Sequence, residues 1–113
     1  MSVLLEDGSN RLVADGNTLS VTGSVDFEGA AALAAAGREW LDACRRGADV
    51  ALDLRGVDTV SSAAVSMLLE WLRQASRSGL AVTSVRLSAP LARLTEVAEL
   101  DSLLPGASAA SKG

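Results

Sequence analysis

Apolar and polar positions alternate early in the chain. Residues 11–15 (RLVAD) and 18–23 (TLSVTG) alternate or run apolar, and the polar pair Gly16-Asn17 separates them. This pattern predicts a β-hairpin. Residues 49–54 (DVALDL) form a short apolar run closed by Arg55-Gly56, which predicts a buried strand. In residues 80–87, Val82, Ser84 and Arg86 alternate with Thr83, Val85 and Leu87, which predicts another. Between and after these segments the period becomes helical. From Glu28 to about Arg46, Leu33, Ala36, Gly37, Trp40 and Cys44 share one stripe. From about Ser62 to Ser78, Val65, Leu68, Leu69, Leu72 and Ala75 share another. A third helix starts near Ser88 with Pro90 in its first turn, and Leu91, Leu94, Val97 and Ala98 make its apolar side. The expected order is β-β-α-β-α-β-α, a single α/β domain over residues 1–105 with helices packed against a sheet. Residues 106–113 are small and polar and are expected to form a frayed tail.

Composition narrows the function classes. At 113 residues, 49% hydrophobic and 21% charged, the chain suits one globular domain. Phe27, Trp40 and Trp71 are its only aromatic residues, so Ala, Leu and Val must build the core. The net charge is −4 and no basic run exceeds Arg45-Arg46. Nucleic acid and anionic lipid, which both demand a positive patch, are therefore not expected partners. The longest uninterrupted apolar run, residues 30–36, falls far short of the roughly 20 residues that a membrane-spanning helix needs. The start, MSVLLEDGSN, reaches acidic residues at once and does not resemble a secretory signal. Cys44, the single cysteine, has no internal disulfide partner, and a cytoplasmic location is expected.

The residue types also limit the chemistry. Without histidine, neither a Ser-His-Asp nor a Cys-His arrangement can form. One cysteine with scattered carboxylates makes a poor zinc site, and no glycine-rich phosphate loop occurs. The only lysine, Lys112, lies in the tail, so a Ser-Lys mechanism is not expected. No catalytic residue, metal or cofactor is expected.

The adjacent hydroxyls of Ser61 and Ser62 stand where an apolar strand hands over to a helix. A serine there can cap the exposed NH groups of the first turn, for about 1 kcal/mol. Ser61 is the expected N-cap and Ser62 the first helical residue. At ~100° per residue, Ala63, Met67, Trp71 and Gln74 fall nearly opposite the Leu68 stripe, with Ala64 and Glu70 at the edges. Two readings are open. Trp71 lies across a neighbouring loop or helix, or it belongs to a partner-binding face, where tryptophan is often an anchor. In the second reading the small residues Ala63, Ala64 and Ser66 would let a partner approach the backbone closely.

The run VALDLRGVDTVSSAAVSMLLEWLRQASRSG resembles the central segment of STAS domains. NTLSVTGSVDFEGAAAL and RLSAPLARLTEVAELDSLLP resemble the segments on either side, so the likeness covers residues 11–105. Within the family, the chain is most similar to the small STAS subunits of Mla-type bacterial phospholipid-transport ABC systems. The resemblance implies a mixed β-sheet. It also implies a non-catalytic accessory subunit that binds the transporter's ATPase, in complex with permease and lipid-binding subunits. Such a protein would be cytoplasmic, at the inner membrane through its partners, and would serve outer-membrane lipid asymmetry. The implied contact surface is Ser61, Ser62, Ala63, Ala64, Ser66, Met67, Glu70 and Trp71. Ser62 matches the family's key Ser/Thr position, which a kinase phosphorylates in anti-sigma factor antagonists, the alternative function. Ser61 and Ala64 depart from the Asp and Gly of those switch proteins.

Overall fold

In the computed structural model, which describes residues 1–8, 10–59 and 61–97, the alternating segments are strands and the periodic ones helices. In chain order they are β1 (Ser2–Asp7), β2 (Asn10–Asp15), β3 (Thr18–Ser24), α1 (Phe27–Ala43), β4 (Asp49–Thr59), α2 (Ser62–Arg77), β5 (Ala81–Leu87) and α3 (Ala89–Val97). Gly16 sits at φ 62° in the β2–β3 turn, a conformation that glycine adopts without steric cost. The five strands lie in the order β1-β2-β3-β4-β5. The first three pair antiparallel, whereas β3, β4 and β5 are parallel neighbours joined through α1 and α2. The chain is thus α/β with a mixed sheet, as expected. The expected tail, residues 106–113, and Ala98 lie outside the described residues.

The expected order lacked β1, and the reason is local. A register shift between Val3 and Leu5 breaks the alternation, so that Leu4 and Leu5 are both half-buried against the core. β4 also continues past its expected end at Leu54. Arg55-Gly56 does not terminate it, because Gly56 pairs with Thr22 across a register shift in β3. A Cβ at Gly56 would collide with the Thr22 side chain, so glycine here permits close strand approach rather than a turn.

Leu12, Leu19, Val21, Leu52, Leu54 and Val85 of the sheet are buried with Leu33, Leu41, Leu68 and Leu91 of the helices. Each such side chain contributes about 1.5–3 kcal/mol by leaving water. The alternate strand positions, among them Arg11, Asp15, Thr22, Arg55 and Arg86, are exposed on the other sheet face.

Both helical stripes are rotated from their expected positions. In α1, Ala30, Leu33, Gly37 and Leu41 are buried, whereas Ala36, Trp40 and Cys44 are only half-buried. In α2, the fully buried row is Ala64, Leu68, Trp71 and Ala75, with Ala63 and Met67 beside it. Leu69 and Leu72 are half-buried. Trp71 and Met67 therefore do not form an open back face. They are 0% and 1% exposed, because α1 covers that side of α2. The missing side chain of Gly37 makes the room: a Cβ there would collide with the Trp71 indole. The indole Nε1–H donates to the Ala34 carbonyl at 3.3 Å, which satisfies its one polar group.

Candidate interaction site

The strand-to-helix junction divides its two hydroxyls between different tasks. Ser61 has extended backbone (φ −149°, ψ 160°) and is the N-cap of α2. Its Oγ accepts from the Ala64 amide at 3.4 Å and donates to the Val25 carbonyl at 2.8 Å. That second bond ties the start of α2 to the segment between β3 and α1. Ser62, the first helical residue, is exposed.

One turn further, α1 and α2 enclose an apolar groove of about 250 Å3. Ala30, Ala31 and Ala34 of α1 form one wall, and Ala63, Ser66, Met67 and Glu70 of α2 form the other. The groove exists because the residues facing each other near the starts of the two helices are small. Further along, the buried Trp71 indole lies against Gly37 in the same seam. Glu70 bounds the groove, where its Oε1 accepts from Arg73 Nη1 at 2.8 Å and its Oε2 from Arg38 Nη1 at 3.2 Å. Both oxygens of this carboxylate are thus engaged by guanidinium groups, and the groove presents no uncompensated charge.

The structure brings together four of the eight candidate contact residues, Ala63, Ser66, Met67 and Glu70, in this groove. Ser62 lies on the exposed face of α2 at its start. Ala64 and Trp71, each 0% exposed, are core residues and have no surface to offer a partner. Met67 adds little surface to the α2 wall, at 1% exposure. Ser61 acts through the fold, as cap and tether. The α1 wall was missed by sequence reasoning. Its signal is the alanine run at residues 30–36, whose small side chains leave room beside a neighbouring helix.

Two other chemically distinctive groups lie elsewhere. On the open sheet face, Asp53 accepts from Arg55 Nε at 3.0 Å and Nη2 at 2.8 Å. These side-chain hydrogen bonds hold the Asp53 carboxyl below its ordinary range, against the opposing effect of burial. Cys44 donates its thiol to the Trp40 carbonyl at 3.3 Å, and burial pushes its pKa up. It is thereby a poor nucleophile. Among the described residues, no group of three or more His, Cys, Asp or Glu side chains could hold a metal ion, and no helix is long and apolar enough to cross a membrane.

A protein-family model described as "Mlab, STAS domain" matches residues 10–105. The chain belongs to the STAS family. The match takes in β2 through α3, and hence both walls of the groove and the Ser61-Ser62 junction. No curated protein matches the chain. STAS domains are generally non-catalytic, and membership supports an accessory or regulatory role for this one.

Proposed function

We propose that this STAS domain is a non-catalytic accessory subunit that binds and stabilises the cytoplasmic ATPase of a bacterial phospholipid ABC transporter. The ATPase would sit in complex with permease and lipid-binding subunits that maintain outer-membrane lipid asymmetry. The domain would then be cytoplasmic and held at the inner membrane through its partner. The observation that carries this reading is the apolar groove between α1 and α2, edged by exposed Ser66 and adjoining exposed Ser62, in a chain that matches the Mlab-type family model. An apolar side chain from the ATPase would fill the groove, while the small alanines on both walls let the two backbones approach.

Ser66→Arg tests this reading. Ser66 is an exposed helix position, so its substitution should change stability by no more than about 0.5 kcal/mol. The arginine would lie across the groove and carry a charge that the partner must desolvate. Binding to the purified ATPase is expected to weaken at least about tenfold, or about 1.4 kcal/mol. A variant that melts like the wild type and binds as tightly would remove the groove from the interface.

The exposure of Ser62 favours a second reading, an anti-sigma factor antagonist switched by phosphorylation. A phosphate there adds about −1.5 to −2 charges at pH 7. It would meet the positive end of the α2 dipole, so the fold tolerates it while a covering partner does not. Mass spectrometry of protein taken from cells decides, because a Ser62 that never carries phosphate under any growth condition removes this reading.

A further inference from the structure

Inside the α1–α2 groove no charge is left bare, yet at its far end the charges do not balance. Glu70, the lining residue furthest along α2, is one carboxylate held between two guanidinium groups. Arg73 Nη1 lies 2.8 Å from its Oε1, and Arg38 Nη1 lies 3.2 Å from its Oε2. Neither arginine forms another ion pair among the described residues. The triad therefore carries one positive charge in excess. It also spans the seam, because Arg38 belongs to α1 and the other two to α2. The Arg38 and Arg73 side chains are 44% and 63% exposed, so both can still be reached from solvent.

The surroundings do not cancel that excess. Arg77, exposed one turn after Arg73, donates to the neutral Gln74 side chain at 3.0 Å and to no carboxylate. Asp42 is exposed one turn after Arg38 and forms no ion pair among the described residues. Counting both, three arginines still outnumber two carboxylates. Glu39 lines a separate cavity with Leu4, Ala36 and Trp40. The groove thus offers apolar alanine walls and, beside them, a guanidinium pair with unused N–H donors. Glu70 stands three residues beyond Met67, about 4.5 Å of helical rise, which is close to the one-turn spacing of i and i+4 side chains on a helix laid along the groove. A carboxylate accepts from such a guanidinium fork through charge-assisted hydrogen bonds, and water excluded from the adjoining groove strengthens them.

We propose, resting on the docking reading above, that the groove takes a helix of the ATPase with a carboxylate about one turn from its apolar anchor, and that this carboxylate completes the Arg38–Glu70–Arg73 cluster. The test is the association rate of the full-length chain with the purified ATPase, measured at about 50 mM and about 300 mM salt. A rim charge acts mainly on association and on its salt dependence. Arg73→Gln removes the excess charge and is expected to slow association about threefold at low salt, with little change at high salt. Glu70→Gln enlarges the excess and is expected to speed association about twofold at low salt. Opposite signs are the signature, because a merely structural triad would be damaged by either change. Both variants slowing binding would therefore overturn the proposal. If Ser66→Arg weakens binding while both glutamine variants bind as the wild type does, the carboxylate is refuted and the groove reading stands. If Ser66→Arg is also without effect, both fall. Arg73-dependent binding to phosphatidylglycerol vesicles, with no Arg73 effect on the ATPase, would assign the arginines to a lipid surface and likewise overturn the proposal.

Discussion

Replacing Trp71 by alanine distinguishes a core residue from an exposed contact. If Trp71 stood on an open helix face, Trp71→Ala would leave the isolated domain nearly as stable as before and damage only binding. The structure requires the opposite. Trp71 is the largest fully buried side chain, at 0% exposure, and it fills the seam between α1 and α2. Truncating a buried tryptophan to alanine costs about 3–5 kcal/mol. A domain of this size has about 5–15 kcal/mol in all, so a large share is lost. At about 4 °C per kcal/mol, the midpoint of a circular-dichroism melt is expected to fall by about 12–20 °C. A urea titration of the same variant should show a lower midpoint with an unchanged slope. A Tm within about 3 °C of the wild type would refute the packing described above.

The same contact can be probed from its other side. Gly37→Ala drives a methyl into the indole and is expected to cost about 1–3 kcal/mol by overpacking. In the Trp71→Ala background the ring is gone and the methyl has space. The two substitutions should therefore couple by about 1 kcal/mol or more in a double-mutant cycle. Strict additivity would mean that the ring does not lie on Gly37.

Ser61→Ala removes the α2 cap and leaves the Val25 carbonyl without its donor, a loss of about 2 kcal/mol in a denaturant titration; Ser62→Ala, one residue on, should change stability by less than about 0.5 kcal/mol. The Asp53 carboxyl is held below its ordinary pKa by Arg55, so the stability that it adds is fully present above about pH 4 and is lost as pH falls through the lowered folded value. Asp53→Asn should therefore flatten the decline of Tm as pH falls below about 4, and an unaltered acid limb would show that the pair contributes nothing there.

The sequence made the sheet legible wherever strands alternate cleanly, as in the β2–β3 hairpin and β5, and it placed the α2 cap at Ser61. It failed where a local irregularity breaks the period. The register shift at Val3–Leu5 turns two successive leucines toward the core and hides β1. Gly56, which reads as a terminator, sits inside β4 because Thr22 packs over it. The α2 surface was misjudged for a different reason. Periodicity finds one apolar stripe per helix, but α2 is covered by the sheet on one side and by α1 on another. Ala63, Met67 and Trp71 consequently look like a second, spare face until the neighbour is present. Nothing in α2 alone specifies that neighbour. The deciding residue is Gly37, in another helix, whose periodicity marks it as core without showing that an indole packs on it.

That dependence on two helices also explains where an apolar groove remains. The α1–α2 seam closes where a glycine faces a tryptophan, a pairing of very unequal sizes that leaves no gap. Nearer the helix starts it meets with alanine on both sides, and small facing small cannot fill the seam. Every methylene absent from Ala30, Ala31, Ala34 and Ala63 forgoes about 0.8 kcal/mol of possible burial in the isolated chain. A chain with almost no aromatic residues has little else with which to fill its core, so an unfilled apolar seam is a cost with no return inside the domain. A partner's side chain would supply the missing volume. The Ser61 tether to Val25 fixes α2 beside the segment that leads into α1, which keeps the two walls in register for that side chain. In the proposed complex Ser61 would thus serve docking without touching the partner, while Ser62 and Ser66, both exposed and free of any role in closing the core, would stand at its edge.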